Sequence, residues 1–319
     1  MKDSRIISKI RGYRLRDKIF NFIRMTILTV TGFLFIKTFM YDFIKGNFKG
    51  AQFVWIVVGV IIAIIFAKLS TVTEKQLKNF IGETITKPIL EKAFEIETYK
   101  PTSYIDESEL DKSKVLPGYT KIHGSDYVKG KYRGKEIEFC DLTLIYEDKN
   151  DDRKRKETVF KGKFMKIKLD KPVEKGIQLW ERTEKKRAKE FLGEKLGSFM
   201  GMLDGYNEIE TESVDFNERF IIKTQDPHTA FLVLTPNFME SILTLDNTVK
   251  ARTNMCFQGD YLYLSVYNGV DSFEIGKNIN TKVLGQVRVN MNANCNFIFS
   301  VLNELYHNCL LYTSPSPRD

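Results

Sequence analysis

The chain has 319 residues, 43% of them hydrophobic and 28% charged, with a net charge of +8, a length that admits one large domain or two ordinary ones. The charge is confined to one end: residues 1–50 carry eleven Lys or Arg against three Asp, and the 38 basic and 38 acidic groups of the other 269 residues cancel. That distribution excludes a nucleic-acid-binding face spread over a folded domain and points to an arm that meets a membrane.

Residues 1–24 form the basic arm. Met25–Ile36 is uncharged and apolar, and beyond Lys37 the apolar character resumes as far as Ile44. Twelve apolar residues behind a basic arm resemble a signal-peptide core, but bulky Phe, Met and Tyr follow in place of a small-x-small cleavage site. A membrane span over about Met25–Ile44 is expected, with Lys37 reaching its ammonium to the outer interface. Ala51–Ala67 carries no charge and is apolar on every face, which a core helix rarely is. It is a second span at the short end of the roughly 20 residues required.

Eight basic residues precede the first span, two lie in the loop between the spans, and Lys68, Lys75 and Lys78 follow the second. The positive-inside rule then puts both termini in the cytoplasm, as for a multi-pass protein of the inner (cytoplasmic) membrane, with the short loop outside. The basic arm lies against anionic lipid. Gly59, Ala63 and Ala67 recur every four residues, a spacing that lets helix backbones approach closely. The first span of the same chain is the expected partner, and a homodimer face is the alternative.

Residues 70–97 read as membrane-proximal helices broken at Pro88. Residues 98–118 read as a linker with one short helix near Asp106–Lys112. Residues 119–308 read as the cytoplasmic domain. Within it, 126–170 alternates as a meander that turns at Arg133-Gly134 and has a charged tip at EDKNDDRKRKE. Residues 178–205 are expected to be helical. Gly193, Gly197, Gly201 and Gly205 recur there every four, and each costs about 1 kcal/mol against Ala in a helix. Close backbone packing offsets that; a phosphate loop would need GxGxxG or a GK[ST] ending, which is lacking. Strands are expected at Glu208–Val214 and Phe220–Lys223. A helix at 234–245 is expected with Thr235 as cap and Pro236 in its first turn. A hairpin is expected to cross Gln258-Gly259-Asp260, and a last helix to lie near Asn296–Tyr306. Grouped, hairpin-linked strands make this α+β with a largely antiparallel sheet and packed helices, behind two amino-terminal transmembrane helices.

Chemistry is sparse. Cys140, Cys256, Cys295 and Cys309 have no CxxC spacing, so reduced cytoplasmic core positions fit them better than a zinc or redox site. His123, His228 and His307 lie at metal-ligand spacing from no other His or Cys, and no metal or cofactor is implied. There is no HExxH, nucleophile elbow or Walker loop. The best local constellation is His123-Gly124-Ser125-Asp126-Tyr127, with His123 and Asp126 as the candidate catalytic pair, although Gly-Ser-Asp is also ordinary turn chemistry. Asp226-Pro227-His228 reads as a turn.

GSDYVKGK (124–131), IEFCD (137–141), TVFKG (158–162), the Phe216…Phe220…Asp226 spacing, LTPNFMESILTL (234–245) and LYLSVYNGVDSFE (262–274) together resemble a bacterial family of two-pass membrane proteins catalogued as a domain of unknown function. The resemblance covers about 100–275. It implies the architecture above and brings no established activity. Where that family has an acid after a small residue, this chain has Cys140-Asp141, without a serine hydroxyl. The end, CLLYTSPSPRD, resembles the translation of a transposase adapter used in sequencing libraries, so 309–319 is expected to be foreign to the natural protein. The alternative is a disordered tail, which Ser and Pro also suit. A membrane-tethered cytoplasmic interaction or scaffold module with a protein partner fits these features best. The alternatives are a membrane-associated enzyme using 123–127, or a lipid sensor.

Overall fold

The computed structural model describes residues 3–43, 46, 50–92, 94–147, 156–183, 206–249, 251–269 and 280–309. The charged tip at 148–155, the four glycines Gly193, Gly197, Gly201 and Gly205, and residues 310–319 lie outside the described residues. The chain divides into two compact units, Met1–Ile85 with Gly276–Val287, and Thr86–Ile275 with Arg288–Asp319.

The first unit is built on two long helices, α1 (Asp3–Ile36, continued by a π-helical segment, Lys37–Phe43) and α2 (Gly50–Ile81). They run antiparallel: Phe20 meets Phe66 and Tyr13 meets Phe80, each with ring centroids 6.0 Å apart. At 1.5 Å per residue, the 34 residues of α1 reach about 51 Å, well past a hydrocarbon core of about 30 Å. Within Asp3–Met40 and Phe53–Leu90 both helices are long and apolar enough to cross a membrane, by length and composition. After α2 comes a π-helical segment, Gly82–Thr86, then a short helix α3 (Lys87–Leu90). The sequence suggests a break at Pro88. The disturbance falls one turn earlier instead, because a proline ring displaces the carbonyl four residues before it and the ladder widens there.

The second unit is a seven-stranded antiparallel sheet with helices, so its class is the mixed α+β expected. Its elements are β1 (Glu95–Lys100), α4 (Glu107–Ser113), β2 (Lys121–Tyr132), β3 (Lys135–Glu147), β4 (Lys156–Glu181), β5 (Asn207–Ile209), α5 (Val214–Arg219), β6 (Phe220–Thr224), α6 (Pro227–Val233), α7 (Pro236–Val249), β7 (Arg252–Tyr267) and, from Arg288 onward, α8 (Thr281–Cys309). The order is β1-β2-β3-β4-β6-β5, with β7 also paired to β4. The β2–β3 hairpin turns at Arg133 and Gly134, both at positive φ, where Gly is the natural residue.

Alternation along the strands gives the sheet two apolar faces. One carries Val128, Phe139, Met165, Leu179, Phe257 and Leu264, packed with Phe238 and Ile242 of α7 and with Cys295, Ile298 and Leu302 of α8. The other carries Cys140, Leu142, Leu144, Phe164, Trp180 and Tyr263, packed with Ile105, Leu110, Val115 and Leu116.

Several local expectations are corrected. Residues 178–181 are strand, not helix, because β6 and β7 pair with β4 there on opposite edges, and tertiary pairing overrides local pattern. Gln258-Gly259-Asp260 does not reverse the chain. β7 runs through it, and Gly259 at φ +56 absorbs a register shift. Residues 98–118 are no linker: Tyr99 and Lys100 complete β1, Asp106 caps α4 by accepting from Ser108 N at 2.9 Å, and Val115 and Leu116 are buried. Beyond Ile209 the expected strand gives way to α5, capped by Ser213. Asp226-Pro227-His228 opens α6, where the Asp226 carboxylate accepts from His228 N and Thr229 N; the Thr229 hydroxyl, which donates to it at 2.6 Å, and then these backbone bonds hold the carboxyl below its usual range.

Candidate functional site

In the first unit, apolar side chains face outward along the predicted spans and in the turn just ahead of the first. Phe22, Phe33 and Trp55 are 74%, 69% and 67% exposed, far more apolar surface than water tolerates in a contiguous patch. Two hydroxyls of the first predicted span are satisfied on their own helix, Thr26 donating to Phe22 O (3.0 Å) and Thr29 to Met25 O (2.9 Å), and just past the second Thr73 donates to Leu69 O (2.8 Å). That is what a polar group in hydrocarbon needs. Gly59 faces Thr31 of α1, and a Cβ there would collide with the hydroxyl. Ala63, one turn on, is 3% exposed, and Ala67 is half-buried. Below the apolar stretch, Asn21 Nδ2 donates to Ser70 Oγ (3.0 Å) and to Asp17 Oδ1 (3.1 Å), and Ser70 bonds Asp17. This polar clasp ties the two helices between the Phe20–Phe66 and Tyr13–Phe80 contacts.

In the second unit the stretch 123–127 is not a turn but the interior of β2. Ser125 opposes Asp141 and Val128 opposes Phe139, so one extra residue bulges out of β2. Asp126 lies in that bulge at φ +56, backbone that costs a non-glycine residue about 1–2 kcal/mol. The strain is held by contacts with the chain after β1: Asp126 N donates to Pro101 O and Tyr127 N to Ser103 O, both at 3.1 Å. Tyr99 Oη donates to Asp126 Oδ1 at 2.6 Å, and the carboxylate is buried. His123 is exposed and opposes Thr143. The bulge thus turns Asp126 inward to Tyr99 and leaves His123 at the surface.

Next to this bulge lies a second polar group that the sequence reading missed. Lys163 of β4 donates to Asp141 of β3 at 2.6 Å, with 1% and 5% of the side chains exposed. Ser125 and Lys163 are therefore the cross-strand neighbours of Asp141 on its two sides. The signal was present in the sequence: Lys163 is in phase with Met165 and Ile167, and a lysine on an apolar phase calls for a counter-charge. Asp141 is in phase with Phe139, and Cys140 is directed to the opposite face, where burial pushes its thiol up to about 12. Burial also pushes Cys295 up to about 11, with Lys163 opposing. These are neutral thiols at ordinary pH. On the Cys140 face Lys166 is sandwiched between Glu109 Oε2 of α4 (2.7 Å) and the Tyr261 ring (4.2 Å to its centroid). Those contacts with Lys166, ahead of Lys112, hold the Glu109 carboxyl low. Among the described residues no group of three or more His, Cys, Asp or Glu is arranged to hold a metal ion.

Residues 158–306 match a family model. The family is described as a protein of unknown function (DUF3137), and the matched stretch includes β4 with Lys163 and all elements that follow as far as α8. No curated protein matches the chain. Among solved structures, the crystal structure of the mycobacterial trehalose monomycolate transport factor A is similar at a TM-score of 0.31 and 9% identity, over 75% of this chain and 98% of that one.

Proposed function

We propose that the protein is a membrane-tethered interaction module. The α1–α2 hairpin spans the inner membrane with both termini in the cytoplasm, and the α+β unit works there by binding another protein. The observation that carries this reading is the outward apolar surface of the hairpin, Phe22, Phe33 and Trp55 included, together with threonine hydroxyls already satisfied within their helices. The basic arm supplies the orientation. The first test is alkaline carbonate extraction of native membranes, followed by affinity purification of the full chain and mass spectrometry. Retention in the pellet and one stoichiometric protein partner are expected; release into the supernatant removes the tether.

One observation favours a second reading, an enzyme acting through His123 and Asp126: strained backbone such as that at Asp126 clusters at functional sites. Asp126→Asn keeps the size of the side chain and its bond from Tyr99. If that variant folds and behaves as wild type in the cell, the enzymatic reading is lost and the tether reading is unaffected.

A further inference from the structure

β4 and β7 do not keep step. Between Lys168 and Ile177 β4 advances nine residues, while β7 advances four, from Tyr261 to Phe257. The surplus bulges out on either side of the Val173–Gly259 pair, and bulges of this kind re-aim side chains rather than merely interrupt a ladder. Between this bulge and α6 lies a cleft of about 460 Å³.

Its walls are fixed. The Thr224 hydroxyl, fully buried, bridges Gly176 O and Asp226 N (3.1 Å each), which ties the start of α6 to the end of the bulge. The lining is mainly apolar within and charged along the bulge, with polar groups of Asp226, Thr229 and Thr235 on the α6 side. Val173, Val233 and Phe257 form an apolar interior, and Leu232, 44% exposed, extends it along α6. The charges Asp170, Lys171, Glu174 and Lys175 are all exposed along the bulge. An apolar interior with a few polar groups at its edge is the usual make-up of a small-molecule site. Such a lining selects a ligand that is apolar at one end and polar at the other. A volume of about 460 Å³ lies towards the small end of the roughly 300–1,000 Å³ of small-molecule sites, enough for one tail.

We propose that this cleft binds a single-chain amphiphile, with its tail against Val173, Val233 and Phe257 and its head among the charges of the bulge. The proposal is independent of the membrane tether, since every residue it uses lies in the α+β unit. The test uses the full chain in lipid nanodiscs and a lysophosphatidylcholine probe with a diazirine in its tail, irradiated and mapped by peptide mass spectrometry. Labelling is expected within 169–175 and 229–235. It should fall at least tenfold in Leu232→Glu, which places a charge on an exposed wall without touching the core, and in Val173→Trp, which fills the cleft. Labelling of α1 and α2 reports bilayer contact and should be the same in all three proteins. Cleft peptides that label no more strongly than in Leu232→Glu, or that label equally in both variants and wild type, would overturn the proposal, even should Val173→Trp fail to fold.

Discussion

Lys163 Nζ lies 2.6 Å from Asp141 Oδ1 across adjacent strands, and both side chains are almost wholly out of solvent. Removing one partner strips the other, still buried, of this ion pair, which destabilises by about 3–5 kcal/mol, whereas replacing both with apolar residues is often neutral or stabilising. Lys163→Met and Asp141→Leu should each lower the denaturation midpoint strongly, and the double variant should recover most of the loss. Single variants within about 1 kcal/mol of wild type would show that the pair is not desolvated.

The bond from Tyr99 to Asp126 can be isolated because the two effects at Asp126 separate. Tyr99→Phe removes only the hydroxyl, and a hydrogen bond to a charged group contributes about 1.5–3 kcal/mol. Asp126→Gly loses the same bond but relieves the positive φ, by about 1–2 kcal/mol. Equilibrium unfolding should therefore rank Tyr99→Phe as the less stable of the two. The reverse ranking would mean that the bulge is not strained.

Burial pushes the Cys140 and Cys256 thiols up to about 12. Their folded values are raised, so the contribution to stability is fully present below the unfolded thiol value of about 8.5. As pH rises from there towards 12, the unfolded chain loses protons that the folded one keeps, and stability falls by up to about 1.4 kcal/mol per pH unit for each thiol. Comparing wild type with Cys140→Ala between pH 7 and pH 11 cancels the other titrations. The gap should shift in favour of the variant as pH rises; a constant gap means that the thiol ionises freely in the fold.

In the hairpin, Gly59→Leu forces α2 away from Thr31. Cysteines placed at Phe20 and Phe66, whose rings are 6.0 Å apart, should be joined readily in membranes by a short bifunctional thiol reagent when Gly59 is present. In the Gly59→Leu background the yield should drop several-fold. An unchanged yield would put the close approach elsewhere.

How much of this was legible in the sequence depends on the range of the interactions. The meander, the turn at Arg133-Gly134 and the Thr235-capped helix rest on local chemistry, and so does the apolar length of the two spans; all were readable from short windows. What was misread depends on partners distant in sequence. Gln178–Glu181 is strand because β6 and β7 flank it. Gly259 reads as a hairpin turn until β4 is seen to pair on both sides of it. Asp126 looked like turn chemistry beside His123. Its inward direction comes from Tyr99, Pro101 and Ser103, which belong to a stretch that reads as a linker. Lys163 was visible as a charge on an apolar phase, but its counter-charge is 22 positions away.

β4, 26 residues long, pairs with β3, β6 and β7, so none of these three strands can leave the sheet without exposing part of it. Amide hydrogens in the paired stretches of β4, Phe164–Ile167 and Ile177–Leu179, should then exchange with solvent only through global unfolding and with a single free energy. The short outer strand β5, which among the described residues pairs with β6 alone, should exchange far earlier. Such a sheet melts as one cooperative block that sheds its margin first.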